Sequence, residues 1–396
     1  MRGATEPEAR RPEVDVSLVA GRKAITEFIR LPVDLYREDP FWVAPLEFER
    51  RQFLDRRRNP FFAYGDVRLF LARRGERVTG RIAAVRNPRY ESFQGKRHGF
   101  FGLFECADDV ETARALFDAV GRWLGGFGLE TLLGPMSFST NDECGTLISG
   151  FDSAPTVLMP HNPPYYSRLY TRCEFAKAMD LWTWRRDVTA PPHFLLDQAE
   201  RASRAHDIVV RPADLRRLDA ELSLIMGIYN SAWQANWGAV PLTPAEATHL
   251  AGRLRPVLRT ELVLIAECGG VPAAFLLVVP DANEALAAAR GRLTHWGLPI
   301  GLARLTRAAR HIEGLRVIGF GVLEEYRRLG LDAVLLAQAW RNALRLGYQR
   351  AEGSWVLEEN VRLNRMADML GAERHKTYRI YQRPLVDTPA PAKGRW

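Results

Sequence analysis

Two adjacent arginines and a glycine stand where an apolar strand gives way to a helix, and this arrangement could bind phosphate. Residues 317–323 form an apolar run that predicts a buried strand, and an amphipathic helix follows the charged turn RRLGLD. A helix N-terminus presents unpaired backbone N–H groups and the positive end of its dipole, and guanidinium groups add bidentate contacts. We therefore expect a pyrophosphate to bind at Arg327, Arg328, Gly330, Leu331 and Asp332.

This turn resembles the R/Q-x-x-G-x-G/A signature of the GCN5-related N-acetyltransferase superfamily, in which the loop holds the pyrophosphate of acyl-CoA. Asp332 stands where the signature has Gly or Ala. Its carboxylate could repel the phosphates, or it could turn outward and cap the helix. The resemblance implies that the strand end at Val322 and Leu323 pairs with the pantetheine arm. It also implies that Asn360 and Asn364 open a later helix that contacts the cofactor, with a helix N-cap as their alternative role.

Amide formation from a thioester needs a proton acceptor, because an alkyl ammonium has a pKa of about 10. Glu358 and Glu359 close the strand that flanks the predicted cofactor cleft. Adjacent strand residues point to opposite faces, so at most one of them should reach the cleft; a solvated strand end is the alternative. Tyr378 lies on the last predicted strand, near where the superfamily often keeps a tyrosine that protonates the leaving thiolate. Its alternative role is aromatic packing.

The segment SFSTNDECG places an unusual density of polar side chains between apolar strands. Because buried polar groups must each find a partner, this density exceeds what a plain turn needs. We expect the segment to recognise the acceptor, with an elaborate turn network as the alternative. The segment NWG could contribute to the same recognition, with buried packing as the alternative role of its tryptophan. The expected acceptor-binding residues are Asn141, Asp142 and Glu143, Tyr165 and Tyr166 of NPPYY, and Asn236 and Trp237.

The elements that would position these residues occur twice along the chain. LFLARRGERVTG and VLIAECGGVPAA align as hairpins about Gly75 and Gly269, and CEFAKAMDLWTWRR aligns with LGAERHKTYRIYQR. Each half has helices, an antiparallel hairpin, a central strand, a helix, a strand, a helix and a closing strand. This order predicts an α/β (α+β) fold of two tandem acetyltransferase-like domains, each a mixed, mostly antiparallel sheet flanked by helices.

We predict the two domains at residues 16–188 and 189–386, with disordered segments at 1–15 and 387–396. A helical pattern from Val16 to Arg30 opens the first domain. The loop after its central strand is FECADDVETA, with carboxylates where a phosphate loop needs glycine and positive charge. We therefore expect the cofactor in the second domain and the acceptor in the cleft between the domains.

Composition and charge limit the classes of function. The chain has 396 residues, of which 47% are hydrophobic and 26% charged, as is typical of soluble globular proteins. Its net charge of +8 favours a polyanionic or membrane-surface partner. Four scattered cysteines without a CxxC pair argue against a zinc site and for a reducing compartment. We expect a cytoplasmic protein that binds acyl-CoA, without a metal or a nucleic acid partner; any membrane contact would be peripheral, at the inner membrane.

Further motifs extend the resemblance to nearly the whole chain. GFFGLFE, LLGPMSFSTNDECG, GFDSAP, NPPYY, NWG and SWVLEEN are similar to a bacterial family of double-domain acetyltransferase-like proteins with members tied to ceramide synthesis. The resemblance implies long-chain acyl transfer from CoA to the amine of a sphingoid base, and peripheral contact with anionic lipid. Two alternatives stay open. One is an aminoacyl-tRNA-dependent transferase, which would need a continuous basic stripe; the other is a non-catalytic CoA- or lipid-binding module.

Overall fold

The computed structural model describes residues 12–294 and 298–385, and its first half runs from a short strand to a long closing strand. The elements of this half are β1 (Val14–Leu18), α1 (Gly21–Leu35), α2 (Glu47–Phe53), β2 (Asp66–Arg74), β3 (Arg77–Arg86), α3 (Pro88–Gln94), β4 (His98–Cys106), α4 (Val110–Gly125), β5 (Thr131–Gly134), β6 (Thr146–Ser149), α5 (Tyr166–Arg172) and β7 (Ala176–Asp187).

The second half follows a similar order, with an additional helix before its first strand, a second helix after its hairpin and no counterpart of β6. Its elements are α6 (His193–Ala205), β8 (Ile208–Pro212), α7 (Leu218–Trp233), α8 (Pro244–Leu254), β9 (Val263–Cys268), β10 (Val271–Pro280), α9 (Ala282–Ala289), α10 (Ile300–Ala308), β11 (Gly314–Val322), α11 (Leu331–Arg345), β12 (Arg350–Leu357), α12 (Val361–Met369) and β13 (Glu373–Pro384). In the part of the chain that the structure describes, no helix is both long enough and apolar enough to cross a membrane.

One continuous sheet joins the two halves, and the closing strands cross between them. The strand order is β1-β2-β3-β4-β5-β13-β7-β12-β11-β10-β9-β8, and β6 pairs with β13 off this path. The last strand of the chain, β13, therefore lies beside β5 of the first half, and β7 lies beside β12 of the second half. The mixed α/β prediction is confirmed. The boundary at residues 188 and 189 stays a prediction, since the halves in sequence differ from the halves in space at these two strands.

Each half contains a wedge between two parallel strands that separate. β11 pairs with β12 only as far as Val317 and Gly353, and β4 pairs with β5 only as far as Phe100 and Leu133. A register shift interrupts the pairing of β10 with β11 beside the point of separation. Backbone groups beyond that point are no longer used by the neighbouring parallel strand, so in each wedge they can bind another partner.

Amphipathic helices cover the sheet. α11 buries Leu331, Leu335 and Ala339, which recur at the four-residue spacing of one helix face, in a core cluster with residues of β9 and β10. Full burial of a leucine side chain contributes about 2 kcal/mol. This packing fixes the N-terminus of α11, and with it the predicted phosphate loop, against the second half of the sheet.

Charged side chains of the second half hold the loop at residues 150–157, which contains the GFDSAP motif. Lys376 is only 1% exposed and donates to Gly150 O and, at 2.7 Å, to Ser153 O. Removing one partner of a buried charge is strongly destabilising, so such contacts fix the loop firmly. The other contacts are Thr156 Oγ1 to Glu352 at 2.9 Å, Val157 N–H to Asp281 at 2.7 Å, and Arg316 to Val157 O.

The start of the chain differs from the sequence-based expectation. A strand occupies Val14–Leu18, and the helix begins only at Gly21, so the predicted helical start at Val16 is wrong. Val14 and Val16 pack against the core cluster of the first half, and their spacing of two is the strand period. The predicted leader reaches into this strand at its last two residues; residues 1–11, and the predicted tail at 387–396, lie outside the described residues.

Candidate active site

A cavity of about 420 Å³ opens between the separated ends of β11 and β12. Phe320 and Gly321 line it from β11, Trp355 from β12 and Trp233 from α7. The cavity therefore lies in the wedge of the second half. Several residues that the sequence analysis selected line it together: Val322, Arg327, Asp332, Glu359 and Asn360 from the cofactor and catalytic predictions, and Asn236 and Trp237 from the acceptor prediction.

The predicted phosphate loop forms one end of this cavity. Gly330 has a φ of +81° as the residue before α11, and an added Cβ would lie 2.7 Å from the Cβ of Ala202. Only glycine fits that close approach without displacing α6. Arg327 lies inside the loop, with its guanidinium 3.4 Å from Val322 O and 3.3 Å from Ala232 O. The guanidinium is thereby held at the cavity wall.

The other predicted residues of this loop play different parts. Arg328 is exposed, whereas Leu331 is buried as the first residue of α11. The Leu323 N–H donates to Ala273 O at 2.9 Å and so fixes the end of β11 to β10. These three residues belong to the loop but do not line the cavity, so their predicted contact with a cofactor stays a prediction.

Asp332 lines the cavity and is accompanied by a cation. Its carboxylate accepts the Ala333 N–H at 3.0 Å and pairs with the Arg362 guanidinium at 3.1 Å. Arg362 lies in the first turn of α12 and lines the same cavity. The sequence analysis missed Arg362, because nothing in the local sequence indicates that α12 packs beside the loop. Arg362 offsets the carboxylate charge that could repel phosphate.

The two adjacent glutamates lie in the turn after β12, which ends at Leu357, and they have different surroundings. Glu358 accepts the Asp180 N–H at 3.0 Å and pairs with Lys177 at 2.7 Å, so its carboxylate is held against β7. Glu359 is exposed and lines the cavity. Among the two, Glu359 is therefore the one that a bound amine could reach. Both catalytic assignments stay predictions.

The two asparagines after β12 have structural partners. Asn360 is the N-cap of α12, where its side chain accepts the Leu363 N–H at 3.1 Å. Asn364 is buried; it donates to Leu357 O at 3.0 Å and accepts the Trp184 indole N–H at 2.9 Å. Asn360 combines a capping role with a place in the cavity wall, whereas Asn364 ties α12 to β7.

Tyr378 lies in the core. It is 0% exposed, packs in a cluster that includes Leu147 and Leu181, and does not line the cavity of the second half. Burial, and then the nearby Glu352 carboxylate, raise the pKa of the Tyr378 phenol well above its ordinary value. Within the described residues its hydroxyl has no hydrogen-bond partner. Its predicted role in protonating the thiolate stays a prediction.

Two tyrosines bind the end of β4 in the wedge of the first half. The Tyr166 hydroxyl accepts the Cys106 N–H at 2.9 Å and donates to Glu105 at 2.8 Å, while the Tyr165 hydroxyl donates to Cys106 O at 2.8 Å. The end of β4 is thus already paired at the place that corresponds to the cofactor-pairing end of β11. Asp109, in the acidic loop that follows β4, caps α4 and pairs with Arg74 at 2.7 Å. Neither feature suits a phosphate ligand.

The polar segment of the first half joins the second half through hydrogen bonds. The Asn141 amide donates to Val240 O at 3.0 Å and accepts the Tyr229 hydroxyl at 2.7 Å, and Thr140 donates to Gly238 O at 2.9 Å. These bonds hold the NWG loop against the polar segment. Asn141 therefore helps to position the two loops.

The pKa values of two neighbouring carboxyl groups of this segment are shifted in opposite directions. Burial opposes ionisation of Glu143, but its ion pair with Arg50 at 2.5 Å lowers the pKa of the Glu143 carboxyl. Burial raises the pKa of Asp142 to about 7, and its basic neighbour Arg253, 3.9 Å away, offsets this only in part. Asp142 can therefore exchange a proton near neutral pH.

A second, apolar cavity of about 170 Å³ lies between α7, α8 and the sheet. Asp142 and Glu143 line it together with many aliphatic side chains, and Trp233 and Trp355 line both this cavity and the one between β11 and β12. A third cavity, about 200 Å³ and also apolar, lies on the opposite face of the sheet beneath α11 and α12. No group of three or more His, Cys, Asp or Glu side chains in residues 12–294 and 298–385 could hold a metal ion.

Known proteins show the same organisation. The chain is 35% identical over 368 residues to a protein of Caulobacter vibrioides (strain NA1000 / CB15N) named bacterial ceramide synthase, covering 91% of this chain and 95% of that protein. The chain belongs to the bacterial ceramide synthase family. It is also 34% identical over 367 residues to Protein YghO of Escherichia coli (strain K12), covering 90% and 92% of the two chains. No family model matches the chain.

A solved structure supports the same fold. A tandem GCN5-related N-acetyltransferase protein from the clavulanic acid biosynthesis pathway superimposes with a TM-score of 0.54 at 12% identity, covering 95% of this chain and 100% of that chain. At that identity the likeness establishes the fold alone. The predictions of the family, the tandem fold and an N-acyltransferase are confirmed.

Proposed function

We propose that the chain transfers a long-chain acyl group from acyl-CoA to the amine of a sphingoid base and so forms a ceramide. The observation that carries the proposal is the cavity between the separated ends of β11 and β12, with the N-terminus of α11 at one end. A helix N-terminus flanked by Arg327 and Arg362 suits a pyrophosphate. The open strand edge suits the amide groups of pantetheine. The name of the Caulobacter relative supports the choice of product.

In this proposal the first half contributes to binding of the acceptor amine. The backbone at the end of its β4 is already paired with Tyr165 and Tyr166, so acyl-CoA is proposed to bind only in the second half. Its polar segment borders the apolar cavity that shares Trp233 and Trp355 with the cofactor cavity. Two apolar cavities beside one cofactor cavity suit a reaction that joins two hydrocarbon chains.

The experiment incubates the purified protein with palmitoyl-CoA and sphinganine, follows release of free thiol and identifies the lipid product by mass spectrometry. We expect thiol release that depends on sphinganine, and N-palmitoyl sphinganine as the product. Release of thiol without formation of ceramide would support acyl transfer but reject the sphingoid base as the acceptor. Calorimetric binding of CoA without turnover of any amine would favour the non-catalytic module, and turnover only with aminoacyl-tRNA would favour the tRNA-dependent alternative.

A charge reversal tests the cofactor end of the cavity. We expect Arg327→Glu to weaken CoA binding at least tenfold, because it removes a cation from the cavity wall and adds a carboxylate beside Asp332. Arg345→Glu is the matched control, because Arg345 is exposed in the last turn of the same α11. Calorimetry measures both affinities, and thermal unfolding checks that both variants are folded. Equal affinities in the two variants would reject the proposed pyrophosphate site.

We also propose that the protein touches anionic membranes peripherally through α10. Leu302 of α10 is 45% exposed, and Arg304 and Arg307 are exposed on the same helix; Leu298, two residues before the helix, is 59% exposed. A surface helix with exposed leucines and arginines suits an anionic interface. Co-sedimentation with phosphatidylglycerol-containing vesicles should fall for Leu302→Glu and persist for the control Leu344→Glu on α11. If both variants bind the vesicles equally, α10 is not the membrane contact.

A further inference from the structure

The apolar cavity between α7, α8 and the sheet begins where the cofactor cavity ends. β11 and β12 stop pairing at Val317 and Gly353, and the next residues, among them Ile318 and Ser354, line the apolar cavity. Phe320 to Val322 line the cofactor cavity a few residues further along β11. A thioester bound in the wedge would therefore face the apolar cavity across the opening between the strands.

One end of this apolar cavity carries a carboxylate whose charge is poorly compensated. Glu143 is paired with Arg50 at 2.5 Å, and Arg253 is paired with Glu49 at 3.0 Å. The nearest polar partners of the Asp142 carboxylate are Ser139 Oγ at 3.5 Å and Arg253 at 3.9 Å. Both distances are long for a charged group. Asp142 therefore lies at the polar end of an otherwise apolar cavity, and its carboxylate has room for a closer cationic partner.

The rest of the lining suits a hydrocarbon chain. α7 contributes Leu222, Ile225 and Met226, and α8 contributes Ala247 and Leu250. Burying each methylene of a chain against such a surface contributes about 0.8 kcal/mol. A molecule with an alkyl chain and an ammonium group at one end matches both the wall and its carboxylate.

We propose that this cavity binds the hydrocarbon chain of the acceptor amine, and that Asp142 binds the ammonium group and accepts its proton before acyl transfer. The inference rests on the proposed function and adds to it the acceptor subsite and the proton acceptor. In this proposal both halves contribute to the reaction, because Asp142 belongs to the first half and the cofactor cavity to the second.

The thioester's acyl chain has a separate apolar route. The cavity beneath α11 and α12 shares Phe320, Trp355 and Val356 with the cofactor cavity, and among the described residues that line it Asp187 has the one carboxylate. An acyl chain carries no charge and gains nothing from a carboxylate, whereas an ammonium group does. Charge complementarity therefore assigns the amine to the cavity with Asp142 and leaves the other cavity for the acyl chain.

The reaction step balances with these groups. The ammonium gives one proton to the Asp142 carboxylate, and the neutral amine nitrogen attacks the thioester carbon. A C–N bond forms, the C–S bond breaks, the second amine proton ends on the CoA sulfur, and Asp142 releases its proton to solvent. Burial lowers the pKa of an ammonium and raises the pKa of Asp142 to about 7, so both changes favour the first transfer.

The charged groups around Asp142 set the pH range. Arg253 from α8 stabilises the carboxylate form, whereas Glu143 and Glu246 oppose it and Ser139 donates to it. Tyr64, from the turn after Phe61, faces the same group. Because burial outweighs Arg253, Asp142 gains its charge as the pH rises through about 7. We therefore expect kcat/KM to rise with pH over this range.

A matched pair of substitutions tests the chain subsite. Ala247→Phe adds a ring to the cavity wall, and Ala245→Phe adds the same ring two residues earlier on the exposed face of α8. KM is measured for 2-amino-1,3-diols of ten to twenty carbons with palmitoyl-CoA, and for acyl-CoAs of eight to eighteen carbons with sphinganine. We expect Ala247→Phe alone to raise KM for the longest amines at least tenfold relative to the shortest, with acyl-CoA preference unchanged.

A second pair tests the proton acceptor. Asp142→Asn should lower kcat about 100-fold or more, the range for loss of a general base, and should remove the rise of kcat/KM near pH 7. Asp281→Asn is the control, because burial raises the pKa of Asp281 also to about 7 although this side chain lines neither cavity. It should leave the pH profile in place. CoA affinity and thermal unfolding verify that each variant is folded.

The outcomes separate this inference from the proposed function. If wild type turns over no amine, the proposed function fails. If wild type is active and Ala247→Phe changes acyl-CoA preference instead, the cavity holds the acyl chain and the inference is overturned. It is equally overturned if neither preference changes, or if Asp142→Asn keeps the wild-type pH profile.

Discussion

Gly330 is the position at which the phosphate loop depends most directly on a missing side chain. Its φ is +81°, and an added Cβ would lie 2.7 Å from the Cβ of Ala202 on α6. Gly347, just beyond the other end of α11, has a φ of +83° and nothing within 4 Å of an added Cβ. Alanine at either position therefore has the same backbone cost, and only Gly330→Ala also forces α6 and the loop apart.

The structure sets the size of the difference. A left-handed alanine costs about 1–2 kcal/mol, and overpacking costs about 1–3 kcal/mol more. We expect the free energy of unfolding to fall by about 2–5 kcal/mol for Gly330→Ala and by about 1–2 kcal/mol for Gly347→Ala. Urea unfolding curves measure both values. CoA affinity should fall for Gly330→Ala and remain unchanged for Gly347→Ala, because only the former displaces the loop.

A double-mutant cycle with Ala202→Gly isolates the contact itself. Removing the Ala202 Cβ leaves its Cα as the nearest atom, at 3.9 Å, which is ordinary van der Waals contact. The double variant should therefore be more stable than the sum of the two single losses predicts, by about 1–3 kcal/mol. If the losses of unfolding free energy in the two single variants add to within about 0.5 kcal/mol of the loss in the double variant, the contact between residues 330 and 202 is refuted. Equal losses for Gly330→Ala and Gly347→Ala would refute it as well.

Three further predictions concern stability. Tyr166→Phe removes the acceptor of the Cys106 N–H and one donor to the Glu105 carboxylate, which Tyr36 still reaches at 2.6 Å. It should lower the free energy of unfolding by about 1–3 kcal/mol without changing CoA affinity; a loss of CoA affinity would contradict the proposal that acyl-CoA binds only in the second half. Thr243→Ala removes the capping box of α8 and should cost about 1 kcal/mol in urea unfolding, while Thr243→Ser should cost less. Asp281 has a raised pKa in the folded state, so its contribution is complete below the unfolded pKa of about 4 and is lost as the pH rises through about 7. Urea midpoints should therefore fall between pH 5 and pH 8 less in Asp281→Asn than in wild type, and equal falls would reject this linkage.

The sequence identifies the features that depend on local chemistry. The hairpins about Gly75 and Gly269 form as predicted, because alternating apolar residues and a glycine turn specify a hairpin locally. The phosphate loop forms because a strand, a glycine at positive φ and an amphipathic helix follow each other within residues 314–345. At the chain start the strand Val14–Leu18 is too short for its alternation to be separated from the helix that follows.

The exchange of closing strands could not be predicted in this way. Tyr381 of β13 pairs with Gly134 of β5, although the two residues lie far apart in the chain. Alternation tells which face of a strand is buried but does not name its neighbour. The partners of the site residues are equally nonlocal: Asp332 pairs with Arg362, and Glu358 with Lys177. Sequence reasoning therefore finds residues suited to chemistry before it can tell which of them are already neutralised by a partner.

The exchanged strands explain why catalysis could draw on both halves. Since β7 and β13 occupy the middle of one continuous sheet, the halves cannot separate without breaking central hydrogen bonds. Lys376 and Glu352 also fix the loop at residues 150–157 of the first half to β13 and β12. A general base must stay within hydrogen-bond reach of the proton that it accepts, and a rigid support keeps it there. A fold that merely tethered two domains by a linker would let the polar segment of the first half drift from the cofactor cavity of the second.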